Sequence, residues 1–281
     1  MHISVIIPAH NEEQFIVDCL FSFTKQTQPP EELIVVDDNS SDNTFWLATD
    51  IAKDYDWMRV VRRKSSDEHA PGKKVVDTFN YGFQQLTEYD IIGKFDADII
   101  LPPNYFEQMR NHFQSDWKLG MCSGLLHIKK NNEWVYENIA ERGHVRGPVK
   151  LYHKACFTRI GGLKSGVGWD TVDVLLARYH DFHVKTDETL QVKHLRPTGW
   201  GYRSKGFQAK GKALYKMRYG LPLAKIALFK MMWQSQNPLV YIQGIQGYFK
   251  ALLRKEERFV SRDEGQFIRQ LRWKGILSKL F

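Results

Sequence analysis

Short apolar segments and helical patterns alternate through the first hundred residues, and this alternation limits the chain to few folds. Residues 3–8, 32–36, 58–62 and 91–95 have the length and composition of buried strands. Stretches with apolar residues at helical spacing separate them. A regular succession of strand and helix is typical of a mostly parallel sheet flanked by helices. The sequence therefore predicts an α/β fold.

Polar clusters follow three of the four predicted strands. Asn11-Glu12 comes after the first strand, Asp37-Asp38 after the second, and Asp96-Ala97-Asp98 after the fourth. In open parallel sheets, ligands bind at the carboxyl ends of the strands. The three clusters are therefore expected to converge on one site.

The two carboxylates of Asp96-Ala97-Asp98 favour a metal site. Alternate side chains of an extended segment share a face, so Asp96 and Asp98 are expected to point the same way. Two carboxylates so close repel each other unless a cation lies between them. Mg²⁺ or Mn²⁺, shared with phosphate oxygens, suits such ligands. A solvated Asp-x-Asp turn is the alternative on this motif alone.

Composition indicates a globular protein of one large α/β domain with an extension, or of two small domains. The chain has 281 residues, 43% of them hydrophobic. Three widely separated cysteines suit a reducing compartment and show no metal-ligand spacing. The chain starts directly with a strand-like run, so we expect no signal peptide.

Positive charge is concentrated in the C-terminal part. Residues 201–281 contain 17 Lys and Arg against 4 Asp and Glu, whereas residues 1–200 contain 23 against 28. A basic tail indicates an anionic partner, either nucleic acid or membrane. The longest uncharged stretch, 231–249, is too polar for a spanning helix. We expect the tail to lie on a membrane without crossing it.

Three sequence motifs lie within the first hundred residues. They are Val5-Ile6-Ile7-Pro8-Ala9-His10-Asn11-Glu12-Glu13, Val35-Val36-Asp37-Asp38-Asn39-Ser40-Ser41-Asp42-Asn43-Thr44 and Phe95-Asp96-Ala97-Asp98. Together they resemble the motifs of the family 2 glycosyltransferases, in the same order and at similar spacing, with weaker matches as far as His194. Phe95-Asp96-Ala97-Asp98 corresponds to the DXD motif. The resemblance implies a GT-A fold and an inverting, metal-dependent enzyme with a nucleotide-sugar donor, UDP being the expected carrier.

The resemblance also implies roles for individual residues. Asp98 and His194 would hold Mn²⁺ or Mg²⁺, although a lone histidine is often structural. Asp38 could instead cap a helix, and Lys73 could lie in a solvated loop. The predicted nucleotide-sugar-binding residues are Pro8, Ala9, Glu12, Asp38, Lys73 and Asp96.

The predicted catalytic base lies in Gly168-Trp169-Asp170-Thr171-Val172-Asp173. The resemblance favours Asp170, with Asp173 as its rival, because Trp169 stands where the family more often has Glu. Asp170 could instead be a helix N-cap. Trp169 and Arg146 are predicted on the acceptor side, Trp169 being equally well explained as a core residue.

The predicted organisation is a GT-A catalytic domain over residues 1–215 and a basic amphipathic helical extension over 216–281. Residues 1–103 form the nucleotide-sugar and metal half, and residues 104–215 the acceptor half. The extension is expected on the membrane surface, or else packed on the catalytic domain. The predicted location is cytoplasmic, peripheral on the inner face of the membrane.

The predicted function is transfer of one sugar at a time to a glycan or lipid-linked acceptor, in cell-envelope polysaccharide or glycolipid synthesis. Arg269-Gln270-Leu271-Arg272-Trp273 only approximates the Gln-x-x-Arg-Trp motif of processive synthases, because its Gln is one place late. A nucleotidyltransferase is the second enzyme hypothesis, but the loop after the first strand has no glycine. A nucleic-acid-binding module that uses the basic tail is the non-enzymatic alternative, and nucleic acid is not the expected partner.

Overall fold

The computed structural model describes residues 1–65, 70, 72–197 and 206–278, which form one mixed sheet flanked by helices. The strands are β1 (Ile3–Ala9), β2 (Glu32–Asp38), β3 (Met58–Arg63), β4 (Ile91–Phe95), β5 (Ile99–Ile100), β6 (Leu119–Lys130), β7 (Glu133–Tyr136), β8 (Val149–His153) and β9 (His183–His194). The helices are α1 (Ile16–Thr24), α2 (Thr44–Ala52), α3 (Lys73–Phe83), α4 (Tyr105–Ser115), α5 (Lys154–Arg159), α6 (Trp169–Tyr179), α7 (Phe207–Lys216), α8 (Leu221–Ser235), α9 (Leu239–Leu253) and α10 (Arg262–Leu277).

The strand order is β3-β2-β1-β4-β8-β6-β9-β5, with β7 paired to β6. The strands β3, β2, β1 and β4 are parallel, as the alternation of elements predicts. Between β4 and β6 lies β8, which is antiparallel to both, so the second half of the sheet is mixed. The chain runs outward from β1 to β3 on one side and continues with β4 on the other. Such a reversal opens a crevice at the carboxyl ends of β1 and β4.

Both faces of β1, β2 and β4 are buried, which explains their largely apolar sequence. On β1, Ile6 belongs to one hydrophobic cluster with Phe79 of α3, and Val5 belongs to a second with Phe23 of α1. The parallel strands are therefore fixed between two helical layers, and their carboxyl ends form a rigid edge.

The C-terminal helices share the first of these clusters with the sheet. Tyr215 of α7, Leu228 of α8 and Tyr248 of α9 are buried in the same cluster as Val172 of α6. Helices α7 and α9 approach closely, since a Cβ on Gly211 would overlap the backbone of α9. Buried contacts cross residue 216 and join the C-terminal helices to the rest of the protein. The division of the chain into two units at this residue stays a prediction. Among the described residues, no helix is both long and apolar enough to cross a membrane.

Candidate functional site

A pocket of about 350 Å³ opens at the carboxyl ends of β1, β2 and β4. The three polar clusters of the sequence meet there, although they are far apart along the chain. Six residues predicted from the sequence line it, namely Pro8, Ala9, Glu12, Asp38, Asp96 and Asp98. The pocket also takes in backbone and side chains from the start of α3.

Asp96, Asp98 and His194 form the candidate metal centre of the described residues. Each offers one ligand atom, and these atoms lie within 4.8 Å of one another. The pairing of Ile99 in β5 with His194 at the end of β9 brings the imidazole beside the two aspartates. Two carboxylates and an imidazole are ligands that suit Mn²⁺. The side chains present therefore fit a divalent cation.

Glu137 orients the imidazole from behind. Its Oε2 lies 3.2 Å from His194 Nδ1, while His194 Nε2 lies 3.6 Å from Asp98 Oδ1. A carboxylate on the far nitrogen of a metal-binding histidine fixes the ring and its tautomer. Arg146 donates from Nη1 to the same Oε2 at 2.8 Å. Arg146 was predicted on the acceptor side. In the structure it is buried and contacts Glu137 behind His194.

The charges of the centre are coupled. Burial disfavours the imidazolium, but hydrogen bonds with Asp98 and Glu137 outweigh it and raise the pKa of His194 to about 9. Burial alone would raise the pKa of Asp98, yet His194 and Arg196 lower it. A divalent cation bound by His194 would therefore take the place of a proton on its imidazole.

Arg196, which the sequence analysis did not single out, occupies the pocket beside these ligands. Its Nε donates to Asp98 Oδ2 at 2.8 Å, and its Nη2 pairs with Glu12 Oε1. Burial raises the pKa of Glu12 to about 7 in spite of Arg196. The other oxygen of Glu12, Oε2, is buried and accepts no hydrogen bond within the described part of the chain. Such an atom is expected to gain a partner when a ligand binds.

Lys94 holds Asp96 from below the pocket. The ammonium of Lys94 is buried, pairs with Asp96 Oδ1 and donates to the carbonyl oxygen of Gly147 at 3.1 Å. The sequence carried a signal for this contact, because a lysine inside an apolar strand needs a buried partner.

Asp38 lies on the floor of the pocket. Arg63 Nη1 donates to one carboxylate oxygen and Thr78 Oγ1 to the other, each at 2.9 Å. The residue is 4% exposed. These bonds fix the carboxylate at the end of β2, where it lines the pocket.

Lys73, which was predicted to bind the nucleotide-sugar, lies outside the pocket lining. Its side chain is 62% exposed and pairs with Asp77 one helical turn later. It is absent from the pocket lining described here, whereas the next residue, Lys74, belongs to it. Successive residues of a helix point in directions about 100° apart, so only one of the two lysines faces the pocket.

The two aspartates proposed as base have different surroundings. Asp173 is fully buried, with Lys150 Nζ 2.7 Å and Tyr152 Oη 2.6 Å from its Oδ2. Asp170, in the first turn of α6, is partly exposed. A Cβ on Gly147 would lie 3.3 Å from Asp170 Oδ2, so the carboxylate lies against the segment whose carbonyl bonds Lys94. Asp170 is thus the more exposed of the two aspartates.

Trp169 is 7% exposed and packs in the core against two lysines that are neighbours on β4 and β8. The ammonium groups of Lys94 and Lys150 lie 5.1 and 5.4 Å from its ring centroid. Cations at this distance over an indole are attracted by its ring. The structure thus favours the interpretation of Trp169 as a core residue over stacking on an acceptor.

Comparison with protein families matches this chain to glycosyl transferase family 2 over residues 4–160. Among curated proteins, the probable glycosyltransferase YdaM of Bacillus subtilis is 37% identical over 34% of this chain and 22% of its own length. The beta-monoglucosyldiacylglycerol synthase of Trichormus variabilis is 29% identical over 60% of this chain and 38% of its own. The chain thus matches less than half the length of these relatives.

Solved structures share the fold at low sequence identity. The mannosyltransferase PcManGT of Pyrobaculum calidifontis, in complex with GDP-Man and Mn²⁺, superposes with a TM-score of 0.59 at 17% identity. The match covers 100% of this chain and 81% of that one. S. aureus TarS 1-349 with UDP-GlcNAc gives a TM-score of 0.56 at 17% identity, over 90% and 72%. The predicted GT-A fold is confirmed, with a mixed sheet.

Proposed function

Because the chain belongs to glycosyl transferase family 2, we propose that it transfers one sugar from a nucleotide-sugar, a UDP-sugar, to a hydroxyl group. The observation that carries the proposal is the convergence of Glu12, Asp38, Asp96 and Asp98 on one pocket. Carboxylates at the ends of parallel strands suit ribose hydroxyls and a cation bound to a diphosphate.

The acceptor in this proposal is a glycan or a lipid-linked glycan of the cell envelope. Relatives that support it include a beta-monoglucosyldiacylglycerol synthase and the poly-beta-1,6-N-acetyl-D-glucosamine synthase of Staphylococcus epidermidis. A neighbour of the same fold was solved with UDP-GlcNAc. We place the reaction at the inner face of a membrane, where a lipid-linked acceptor would lie.

Asp96, Asp98 and His194 are the residues that would hold Mn²⁺ or Mg²⁺. When bound, the cation neutralises charge on the leaving diphosphate. Glu137 fixes the imidazole, and Lys94 restrains Asp96. Arg196 and Lys74 add positive charge to the pocket on the side of the phosphates. Pro8 and Ala9 form the wall against which the nucleoside lies.

Asp170 is the proposed general base, which takes the proton from the acceptor hydroxyl as it attacks the anomeric carbon. The support for this role is its contact with Gly147, whose carbonyl oxygen accepts a hydrogen bond from Lys94, the lysine that pairs with Asp96. Attack by an acceptor from the face opposite the leaving group inverts the anomeric carbon. Asp173 is excluded from this role in the proposal, because Lys150 and Tyr152 occupy its oxygens.

The test is a thermal-shift screen of UDP, GDP, CDP and ADP, each with and without Mn²⁺, on wild type and Asp98→Asn. We expect Mn²⁺-dependent stabilisation by one nucleotide in wild type, and its loss in the variant. Asp50→Asn is the matched control, because Asp50 is exposed and pairs only with Lys53 among the contacts described. The proposal would be contradicted if the stabilisation survived in Asp98→Asn. It would also be contradicted if none of the nucleoside diphosphates stabilised the wild-type protein.

A second assay separates glycosyl transfer from nucleotidyl transfer. The stabilising nucleotide defines the donors to incubate with the protein and Mn²⁺, for example UDP-glucose and UDP-N-acetylglucosamine. Release of nucleoside diphosphate supports the proposal. Formation of pyrophosphate from UTP and a sugar 1-phosphate would instead support a nucleotidyltransferase.

A further inference from the structure

Exposed apolar side chains are concentrated on the hairpin of α8 and α9, residues 221–255. The described residues leave sixteen large hydrophobic side chains exposed, and half of them belong to this hairpin. They are Ile226, Phe229, Trp233, Leu239, Ile242, Phe249, Leu252 and Leu253. Singly exposed apolar residues are ordinary, but a cluster of this size marks an interaction surface.

The exposed residues form stripes along the outer face of each helix. On α8, Ile226, Phe229 and Trp233 follow the spacing i, i+3, i+7. On α9, Leu239, Ile242 and Leu253 fall on one face at i, i+3 and i+14. We call these two stripes together the hairpin face.

The hairpin face is distinct from the surface that attaches the hairpin to the protein. Leu223, Ala224 and Leu228 of α8 are buried, as are Tyr248 and Ala251 of α9, and all five belong to the shared core. Both helices are thus apolar on two sides, although only the inner side is needed for packing. The outer apolar side therefore has another purpose than folding.

The charges within residues 221–255 are all of one sign, and the first carboxylates after them are those of Glu256 and Glu257. Residues 221–255 contain no Asp or Glu, and their five basic residues are all exposed. They are Lys225, Lys230, Lys250, Arg254 and Lys255. A second copy of this surface would bring five cations against five with no carboxylate to pair them, which disfavours a dimer through this face.

We propose that the hairpin face lies in the headgroup region of an anionic bilayer, with its aromatic and aliphatic side chains inserted. Apolar residues as exposed as Trp233 (67%) and Leu253 (80%) suit the boundary between headgroups and acyl chains. The lysines and Arg254 contact lipid phosphates, which attract such residues near the surface. This partner suits the surface better than nucleic acid, which has no apolar layer for Leu239, Ile242 and Leu253.

The inference deepens the proposed function, and rests on it where the acceptor is concerned. Helix α6, whose first turn carries Asp170, shares a hydrophobic cluster with α8 and α9. A bilayer that holds the hairpin therefore holds the catalytic residues at a fixed place relative to its surface. Lipid-linked acceptors are then delivered by diffusion in the membrane plane.

The test is co-sedimentation of the full chain with large vesicles of phosphatidylcholine alone, or of phosphatidylcholine mixed with phosphatidylglycerol. We expect wild type to bind the mixed vesicles and bind phosphatidylcholine much more weakly. The double variant Lys230→Gln/Trp233→Gln should lower the partition coefficient roughly tenfold or more. Trp117→Gln/Lys118→Gln is the matched control, because this pair is also exposed but lies outside the hairpin, and its binding should equal that of wild type.

The proposal would be overturned if wild type did not bind vesicles, or bound both kinds of vesicle equally. It would also be overturned if the two double variants lost binding equally, or if the protein were retained on DNA without binding vesicles. A dimer in light scattering that Lys230→Gln/Trp233→Gln converts to monomer would also overturn it. The nucleotide thermal shift of each variant separates this test from that of the function. Loss of vesicle binding with an unchanged shift concerns the hairpin face alone.

Discussion

Arg196 and Asp98 form an ion pair inside the pocket, with Arg196 Nε 2.8 Å from Asp98 Oδ2. The guanidinium thus neutralises one of the aspartates that we assign to the metal. Arg196 and a divalent ion would both bind the carboxylate of Asp98. In the absence of substrate, the two cations would therefore compete for it.

We therefore predict that Arg196→Met binds Mn²⁺ more tightly than wild type when no nucleotide is present. Removal of the competing cation leaves Glu12 and Asp98 more negative, and a gain of about twofold to fivefold is expected for a partly exposed pair. Isothermal titration with MnCl₂ measures it. Lys74→Met removes a cation from the same pocket without touching Asp98 and is the control. A weaker or unchanged affinity in Arg196→Met would refute competition.

The local periodicity of the chain predicts the first half of the fold because each strand and helix there is defined by its own residues. The antiparallel β8 enters between β4 and β6 through pairings distant in sequence. Local pattern contains no information on such partners.

The site was predictable where a motif supplied several residues together, as in Asp96 and Asp98. Glu137, Lys94 and Arg196 were missed because each is a single charged residue. Glu137 meets His194 across 57 positions, and Arg196 meets Asp98 across 98. Only the folded sheet brings these two pairs together. Lys94 lies two residues from Asp96, and its position inside an apolar run was a usable signal.

Asp170→Asn is predicted to lower turnover while leaving donor binding intact. Loss of a general base costs roughly 100-fold to 10,000-fold in rate. Release of UDP from UDP-glucose or UDP-N-acetylglucosamine, with water as acceptor, measures the rate, and the nucleotide thermal shift measures binding. Asp181→Asn is the control, because Asp181 is exposed at the other end of α6 in a left-handed conformation (φ 62°) that Asn tolerates. Equal rates in wild type and Asp170→Asn would exclude this base.

Glu137→Gln is predicted to weaken Mn²⁺ binding about 10-fold to 100-fold, since the carboxylate orients His194 from behind. Isothermal titration measures the affinity for Mn²⁺. The unfolding temperature without metal measures how much stability is lost when Arg146 pairs with a neutral glutamine instead of a carboxylate. Glu188→Gln, in an exposed pair with Arg142, provides the control. A fall in stability with unchanged affinity would mean that Glu137 serves only the fold.

Asp173→Asn is predicted to destabilise the protein by about 3–5 kcal/mol, because it leaves the buried ammonium of Lys150 without its counter-charge. Urea unfolding measures the loss. Lys150→Met removes the other partner, and the double variant should cost less than the sum of the two single variants. Strictly additive losses would show that the two charges do not depend on each other.

The last prediction concerns pH and His144. Burial and the charge of Lys150 lower the pKa of His144 to about 4, against an ordinary value near 6.5. Between these values the unfolded chain binds more protons than the folded one, so stability rises with pH across this window and is lost on acidification. We expect a loss on the order of 2 kcal/mol between pH 6.5 and 4 from this residue alone. Urea unfolding of wild type and His144→Gln over this range measures the contribution of this residue. Parallel stability curves for the two proteins would show that His144 does not titrate as a buried neutral residue.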